Sequence, residues 1–291
     1  MGDIRPALIG LAALVSTLPG RRSVLTFHSG RYGALRSPDD YRYAGALAAA
    51  LNRFDAVICV NSQLLDFLAA KGVRSGKLHF IGPYPGVPQR SLPPLAGPVA
   101  AFAAEHHPLI VAVGLMEREY NVPFLFDAIA KLRLHDPRAG LVVIGEGRLS
   151  GALEQQRRSH PAGDSILLAG DLPRELTLSA MARSAAMLRA TSWDGDSVSV
   201  REAIDLGVPV VASNNGLRPP QVRCYAPENL DDCVAQLLES IRKGPLASRD
   251  AGAPAAGNIE QVMALYECLL GRASTADENL VAAMKSPGVK N

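Results

Sequence analysis

Five short apolar runs, at residues 109–113, 141–144, 165–168, 185–189 and 209–213, are separated by segments of helical character at 122–134, 148–158, 176–183 and 200–206. A run of this length that is apolar at nearly every position reads as a strand buried on both faces. Strands that alternate with helices of this length predict a parallel, doubly wound α/β sheet. Residues 230–243 follow with an amphipathic helix that closes it.

The chain before this pattern is built on a similar plan. Strands are expected at 24–27, 55–60 and 77–81, with helices at 38–53 and 63–71 between them. Asn61-Ser62 opens the second helix and Gly72 ends it. Residues 4–18 are apolar, but shorter than the ~20 residues a membrane span needs. They contain Pro6 and Gly10, with no cationic start and no clear small-residue cleavage site, so a buried helix is expected. From 82 to 98 the prolines at 83, 85, 88, 93, 94 and 98 exclude a helix or central strand and mark a linker. The expected division is a first domain at 1–88, a linker at 89–107, a second domain at 108–246, a loop and helix at 247–272, and a loosely ordered tail at 273–291.

Composition narrows the classes. With 291 residues, 48% hydrophobic and 20% charged, the chain can bury two modest cores and is not globally disordered. A formal net charge of +2 gives no basis for nucleic acid as partner, and leaves room for a local basic surface against anionic lipid. Cys59, Cys224, Cys233 and Cys268 form no CxxC pair, which fits buried free thiols in a reduced, cytoplasmic setting.

Chemistry points to Trp193-Asp194-Gly195-Asp196-Ser197-Val198-Ser199-Val200-Arg201-Glu202-Ala203. Asp and Gly at 194–196 favour a tight acidic turn. Ser199 with Glu202 reads as a capping box, so a helix is expected from about Val200. Gly207 suits the position that ends it, and Pro209 prevents its continuation. Free N–H groups at a helix N-terminus bind phosphate. Seven residues separate Asp194 from Glu202, which lets both carboxylates border one cleft. The bland reading is a turn and a cap, and nothing more.

The stretch also resembles the E-x7-E motif of retaining GT-B glycosyltransferases of family 4 (glycosyl transferases group 1), with Asp194 for the first Glu. Leu109-Ile110-Val111-Ala112-Val113-Gly114, Ile144-Gly145-Glu146-Gly147 and Ile166-Leu167-Leu168-Ala169-Gly170 fall in the family's order at similar spacing. Asn214-Asn215-Gly216-Leu217-Arg218-Pro219, with Asp194-Gly195-Asp196-Ser197, resembles an exopolysaccharide-type subgroup. The resemblance implies an α/β, GT-B-like fold of two Rossmann-like domains. It implies transfer of a sugar, with retention, from a nucleotide-diphosphate sugar to a cell-envelope or exopolysaccharide acceptor, a glycan or lipid-linked glycan. No metal or other cofactor is implied. Asp194 would sit beside the sugar and His28, in Thr26-Phe27-His28, would face the acceptor. Glu202 would hold the ribose hydroxyls, with Gly114, Gly170, Ser197, Ser199, Arg201, Asn215 and Arg218 on the donor side. The helix at 259–270 resembles the family's terminal helix, which packs back on the first domain.

Three departures shape the expectations. Leu115 and Tyr120 stand where the family usually carries an Arg and a Lys for the diphosphate. Burying those charges unpaired is prohibitive, so Arg118, Arg201 and Arg218 become the candidate replacements. The Asn-Gly loop at 214–219 replaces a Gly-Gly loop. The first domain is short, with one helix before the strand that leads to His28. A truncated acceptor half predicts slow transfer by the chain alone, and a sheet edge that invites a homodimer or a partner. The rival reading is a degenerate, non-catalytic nucleotide-sugar-binding or assembly module. A nicotinamide dehydrogenase is a poor fit, because no G-x-G-x-x-G follows the strand at Leu109. The expected location is cytoplasmic, with peripheral contact at the inner membrane face left open.

Overall fold

The computed structural model describes residues 13–14, 16, 18–27, 44–84, 86–87, 91–191, 194, 196–216, 218–246 and 257–285. The chain divides into two compact units. One is Met1–Pro85 with Asp194–Asp196 and Ala253–Asn291; the other is Gly86–Trp193 with Ser197–Gly252.

In the first unit, β1 (Val24–Phe27), β2 (Ala56–Cys59) and β3 (Leu78–Phe80) form a parallel sheet in that order. The helices α1 (Ala44–Leu51) and α2 (Ser62–Ala70) connect them. Asn61 caps α2, its Oδ1 accepting the Leu64 N–H at 2.8 Å. Val57 and Cys59 of β2 pack with Leu51, Leu64 and Leu68. The alternate residues Ala56 and Ile58 pack with Ala264 and Leu265, as the pleat dictates. Of the expected helix at 4–18, Ala13 and Leu14 are helical and residues 4–12 lie outside the described residues; so do residues 38–43 of the next.

Helices α9 (Asn258–Leu270) and α10 (Thr275–Ala283) complete this unit. The tail expected to be loose therefore contains a helix. Ser274 and Asp277 form a capping box at its start, and Val281 and Met284 are buried in the same cluster as Ile58. The Phe80 N–H donates to Met284 O at 2.9 Å, so this segment also binds the backbone of β3.

His79, on β3, is 3% exposed and its Nδ1 has no hydrogen-bond partner among the described residues. Burial, with the nearby Lys285 charge, pushes its pKa down to about 4. The unfolded chain takes up this proton near the ordinary value, the folded one only near pH 4. Stability from neutral His79 is thus full above about pH 6.5 and is lost toward pH 4, by up to about 1.4 kcal/mol per pH unit. Urea midpoints measured from pH 7 to 4 should fall less steeply for His79→Leu than for the wild type. Parallel profiles would show that His79 does not set this slope.

The second unit has six parallel strands in the order β6-β5-β4-β7-β8-β9. They are β4 (Leu109–Val113), β5 (Gly140–Ile144), β6 (Ile166–Gly170), β7 (Ala186–Arg189), β8 (Val210–Ser213) and β9 (Arg223–Tyr225). Every residue of β5, β7 and β8 is buried, which explains why these strands read as apolar at nearly every position. Alternate residues feed two cores. Ile110, Leu141, Val143 and Leu188 pack with α4 (Val122–Leu132), α5 (Ser150–Ser159) and α8 (Leu230–Lys243). Val111, Val142, Ile144, Met187 and Val210 pack with α3 (Gly97–Glu105), α6 (Arg174–Ala182) and α7 (Val198–Asp205). Helix α3 lies inside the stretch expected to be a linker. Pro98 occupies its first turn, where the missing N–H is no loss, and Val99 enters the core.

Candidate functional site

The site follows from strand order. From β4 the chain moves outward through β5 and β6; from β7 it moves outward the other way, through β8 and β9. Strands β4 and β7 are neighbours, with Ile110 opposite Ala186 and Val111 opposite Met187. The connection after β4 runs through α4 on one face, and that after β7 through α7 on the other. A crevice opens at such a switch point, outside the carboxyl ends of the strands. Gly114 leaves β4 there, and Arg189 ends β7.

The loops at this edge are held by their own backbones. Gly114 N donates to Ile144 O at 3.0 Å, Met116 N to Glu146 O at 3.1 Å, and Gly145 N to Gly170 O at 2.8 Å. A side chain on Gly114 would strike the Tyr120 ring, and one on Gly145 the Gly114 carbonyl. Gly145 has φ +129 and Gly170 has φ +69, conformations that side chains resist. Thus Gly114 and Gly170 both sit at the carboxyl ends of their strands, β4 and β6.

Helix α7 starts two residues earlier than the sequence suggested. Its N-cap is Ser197, which makes no side-chain capping bond, so the expected Ser199–Glu202 capping box does not form. With the start at Val198, Glu202 falls in the second turn and turns into the unit, where it is 6% exposed. Arg174, the first residue of α6, donates to it from Nε to Oε1 at 3.0 Å, and the two side chains form an ion pair with Nη2 2.8 Å from Oε1. Arg174 Nη2 also donates to Gly86 O at 3.2 Å. Among the described residues, Glu202 Oε2 has no hydrogen-bond partner. The helix ends as expected, with Gly207 at φ +73 and the Val208 N–H donating to Ala203 O at 2.8 Å.

The other candidates are placed as follows. Ser197 and Ser199 hydroxyls lie 3.2 Å apart at the start of α7. Arg201 is half-buried on the same helix. Arg218 spans the ends of two strands, donating from Nε to Ser213 O at 3.1 Å and from Nη2 to Thr191 O at 2.9 Å. Asn215 is half-buried in the following loop, where Asn214 Oδ1 accepts the Gly216 N–H. Asp194 is half-buried and groups with the first unit, whereas Glu202 groups with the second. His28 lies outside the described residues.

Two arginines that the sequence reading passed over are built into this edge. Arg174 is the partner of Glu202. Arg189 is 7% exposed, and its Nη1 donates to Val113 O at 2.8 Å and to Ser199 Oγ at 3.4 Å. Its guanidinium lies 5.2 Å from the centre of the Tyr120 ring. An arginine at the end of an otherwise apolar strand was the available signal. Among the described residues, no three His, Cys, Asp or Glu side chains could hold a metal ion together, and no helix is long and apolar enough to cross a membrane.

Residues 100–240 match the family model described as Glycosyl transferases group 1, and residues 3–87 match Glycosyltransferase Family 4. The comparison with curated proteins gives no match. Among solved structures, Anabaena HepE in complex with UDP and glucose is 16% identical, with a TM-score of 0.67 over 91% of this chain and 76% of that one. An alpha,alpha-trehalose-phosphate synthase (UDP-forming) from Burkholderia xenovorans, in complex with glucose-6-phosphate, is 15% identical, with a TM-score of 0.63 over 96% and 71%. A mutant of S. aureus TarM, in complex with Fondaparinux, alpha-GlcNAc-glycerol and UDP, is 13% identical, with a TM-score of 0.60. The chain is covered to 91% in that match but spans only 48% of TarM. These likenesses support a GT-B glycosyltransferase fold, with two parallel sheets.

Proposed function

We propose that this chain is a retaining glycosyltransferase that takes a sugar from a nucleotide-diphosphate donor and passes it to a cell-envelope or exopolysaccharide glycan. The observation that carries the reading is Glu202. Its carboxylate is fixed by Arg174 through one oxygen while the other has no partner among the described residues. Glu202 as a residue is buried, and a carboxylate oxygen of such a residue, oriented by an arginine on its other oxygen, is suited to accept from a ribose hydroxyl. The UDP named in the HepE and TarM structures supports the same ligand class. In this reading the nucleoside lies between Gly170 and Glu202, and the diphosphate crosses Gly114 toward the start of α7. Fixed donors there stabilise the charge that develops on the leaving diphosphate. Asp194 is assigned to the donor sugar and His28 to the acceptor, on the sequence motifs that carry them.

The reading assigns the leaving-group charge to arginines and backbone dipoles and requires no metal. Transfer should therefore proceed unchanged in a chelator. Thermal shift against UDP, GDP, ADP and dTDP tests the donor class. The cognate nucleotide at a hundred times its dissociation constant should stabilise the protein by about 2.7 kcal/mol. No shift with any of the four at millimolar concentration would defeat the reading. Proton NMR of the product's anomeric signal then decides retention against inversion.

A further inference from the structure

We infer that Arg189 supplies the cation for the donor diphosphate, from the end of a strand rather than from a loop; this rests on the donor reading above. Diphosphate bound in a crevice needs positive charge close to it, because unpaired burial is prohibitive. The loop that leaves β4 offers little: Leu115 is exposed and apolar, and Arg118 is exposed on the 3-10 turn. Arg148 is 70% exposed and engaged with Glu117 at 2.9 Å. Arg174 is held by Glu202. Arg218 is tied to the carbonyls of Thr191 and Ser213, and Arg201, half-buried on α7, is engaged as well.

Arg189 differs in position and in fixation. It ends β7, the strand beside β4, at the switch point. The Val113 carbonyl, the Ser199 hydroxyl and the Tyr120 ring hold its guanidinium from three separate elements. Its Nη1 would lie 3.5 Å from a Cβ on Gly114, so the charge stands directly against the glycine that opens the loop. Tyr120 therefore has a role at a position where the sequence showed a missing cation: its ring face seats one that comes from β7. A cation fixed before the ligand arrives loses little side-chain freedom on binding.

The structural alternative is that Arg189 only staples β4 to α7. The two roles separate in the ratio of nucleoside to nucleoside-diphosphate affinity, measured by calorimetry with uridine, guanosine, adenosine and thymidine and with their diphosphates. For the pair that binds, Arg189→Gln should reduce the diphosphate's advantage by roughly 10- to 100-fold while nucleoside affinity holds. Equal losses for both ligands, or an unchanged ratio, would overturn the assignment. If Arg189→Gln does not fold, Tyr120 gives the same readout. Tyr120→Phe keeps the ring and should keep the ratio, whereas Tyr120→Leu should lower it several-fold, and a preserved ratio in Tyr120→Leu overturns the assignment. Failure of every diphosphate to bind wild-type protein would instead remove the donor reading, and the role of Arg189 with it.

Discussion

Replacing Gly145 by alanine is expected to lower the melting temperature by about 10 °C and to abolish nucleotide binding. Gly145 has φ +129, and a Cβ there would land on the carbonyl of Gly114. Neither partner can yield cheaply, because both are backbone. Gly145 N is bonded to Gly170 O, and Gly114 N to Ile144 O. Strain at the dihedral and forced overlap each cost of order 1–3 kcal/mol, so their sum is on the order of 4 kcal/mol. Whatever shift relieves the overlap moves Gly114, the residue that leaves β4 at the switch point. Stability and binding should therefore fall together. Gly151 is the control: it is helical and, among the described residues, nothing lies within 4 Å of its Cβ position. Gly151→Ala should be neutral or stabilising by up to about 1 kcal/mol. Calorimetric scans of both variants, with and without nucleotide, check the pair, and equal melting temperatures would refute the clash.

Strands β2, β4, β5, β7 and β8 are legible in the sequence because they bury both faces. The apolar runs at 109–113 and 24–27 have the bounds that the structure shows, and the amphipathic pattern at 230–243 marks the helix with its correct bounds. Helix α3 was hidden by proline density, since Pro98 is harmless in a first turn but reads as a breaker in a linker. Helix α10 carried a visible signal, Ser274 three residues before Asp277, which the polar composition of the tail obscured. The short strand β9, three residues long, is too brief for any periodicity. What local pattern could not supply was partnership across the fold. Arg189 reaches a carbonyl 76 residues earlier in the chain, and Arg174 reaches a carboxylate 28 residues later. Topology makes those contacts, and a topology is not written in any single window. The same limit explains the misread capping box: Ser199 and Glu202 have the right spacing, but the helix begins at Val198 and the carboxylate goes to α6.

The Glu202–Arg174 pair makes a prediction in which the two partners fail differently. Glu202→Gln should weaken nucleoside-diphosphate binding by roughly 10- to 100-fold, since an acceptor carrying charge contributes about 1.5–3 kcal/mol to a hydrogen bond. The amide is nearly isosteric and remains an acceptor for Arg174, so the melting temperature should change little. Arg174 is 44% exposed, so the ion pair is screened and contributes on the order of 1 kcal/mol or less. Arg174→Gln should therefore reduce stability modestly. It should also weaken binding less than Glu202→Gln does, because the carboxylate that meets the ribose is still present though less well oriented. The comparison is made with the same nucleotide by calorimetry, alongside its 2′-deoxy and 3′-deoxy forms. A ribose contact requires that at least one deoxy form loses affinity for wild type and loses no more for Glu202→Gln. If Glu202→Gln melts earlier but binds nucleotide as tightly as wild type, Glu202 serves only to hold Arg174 at the start of α6.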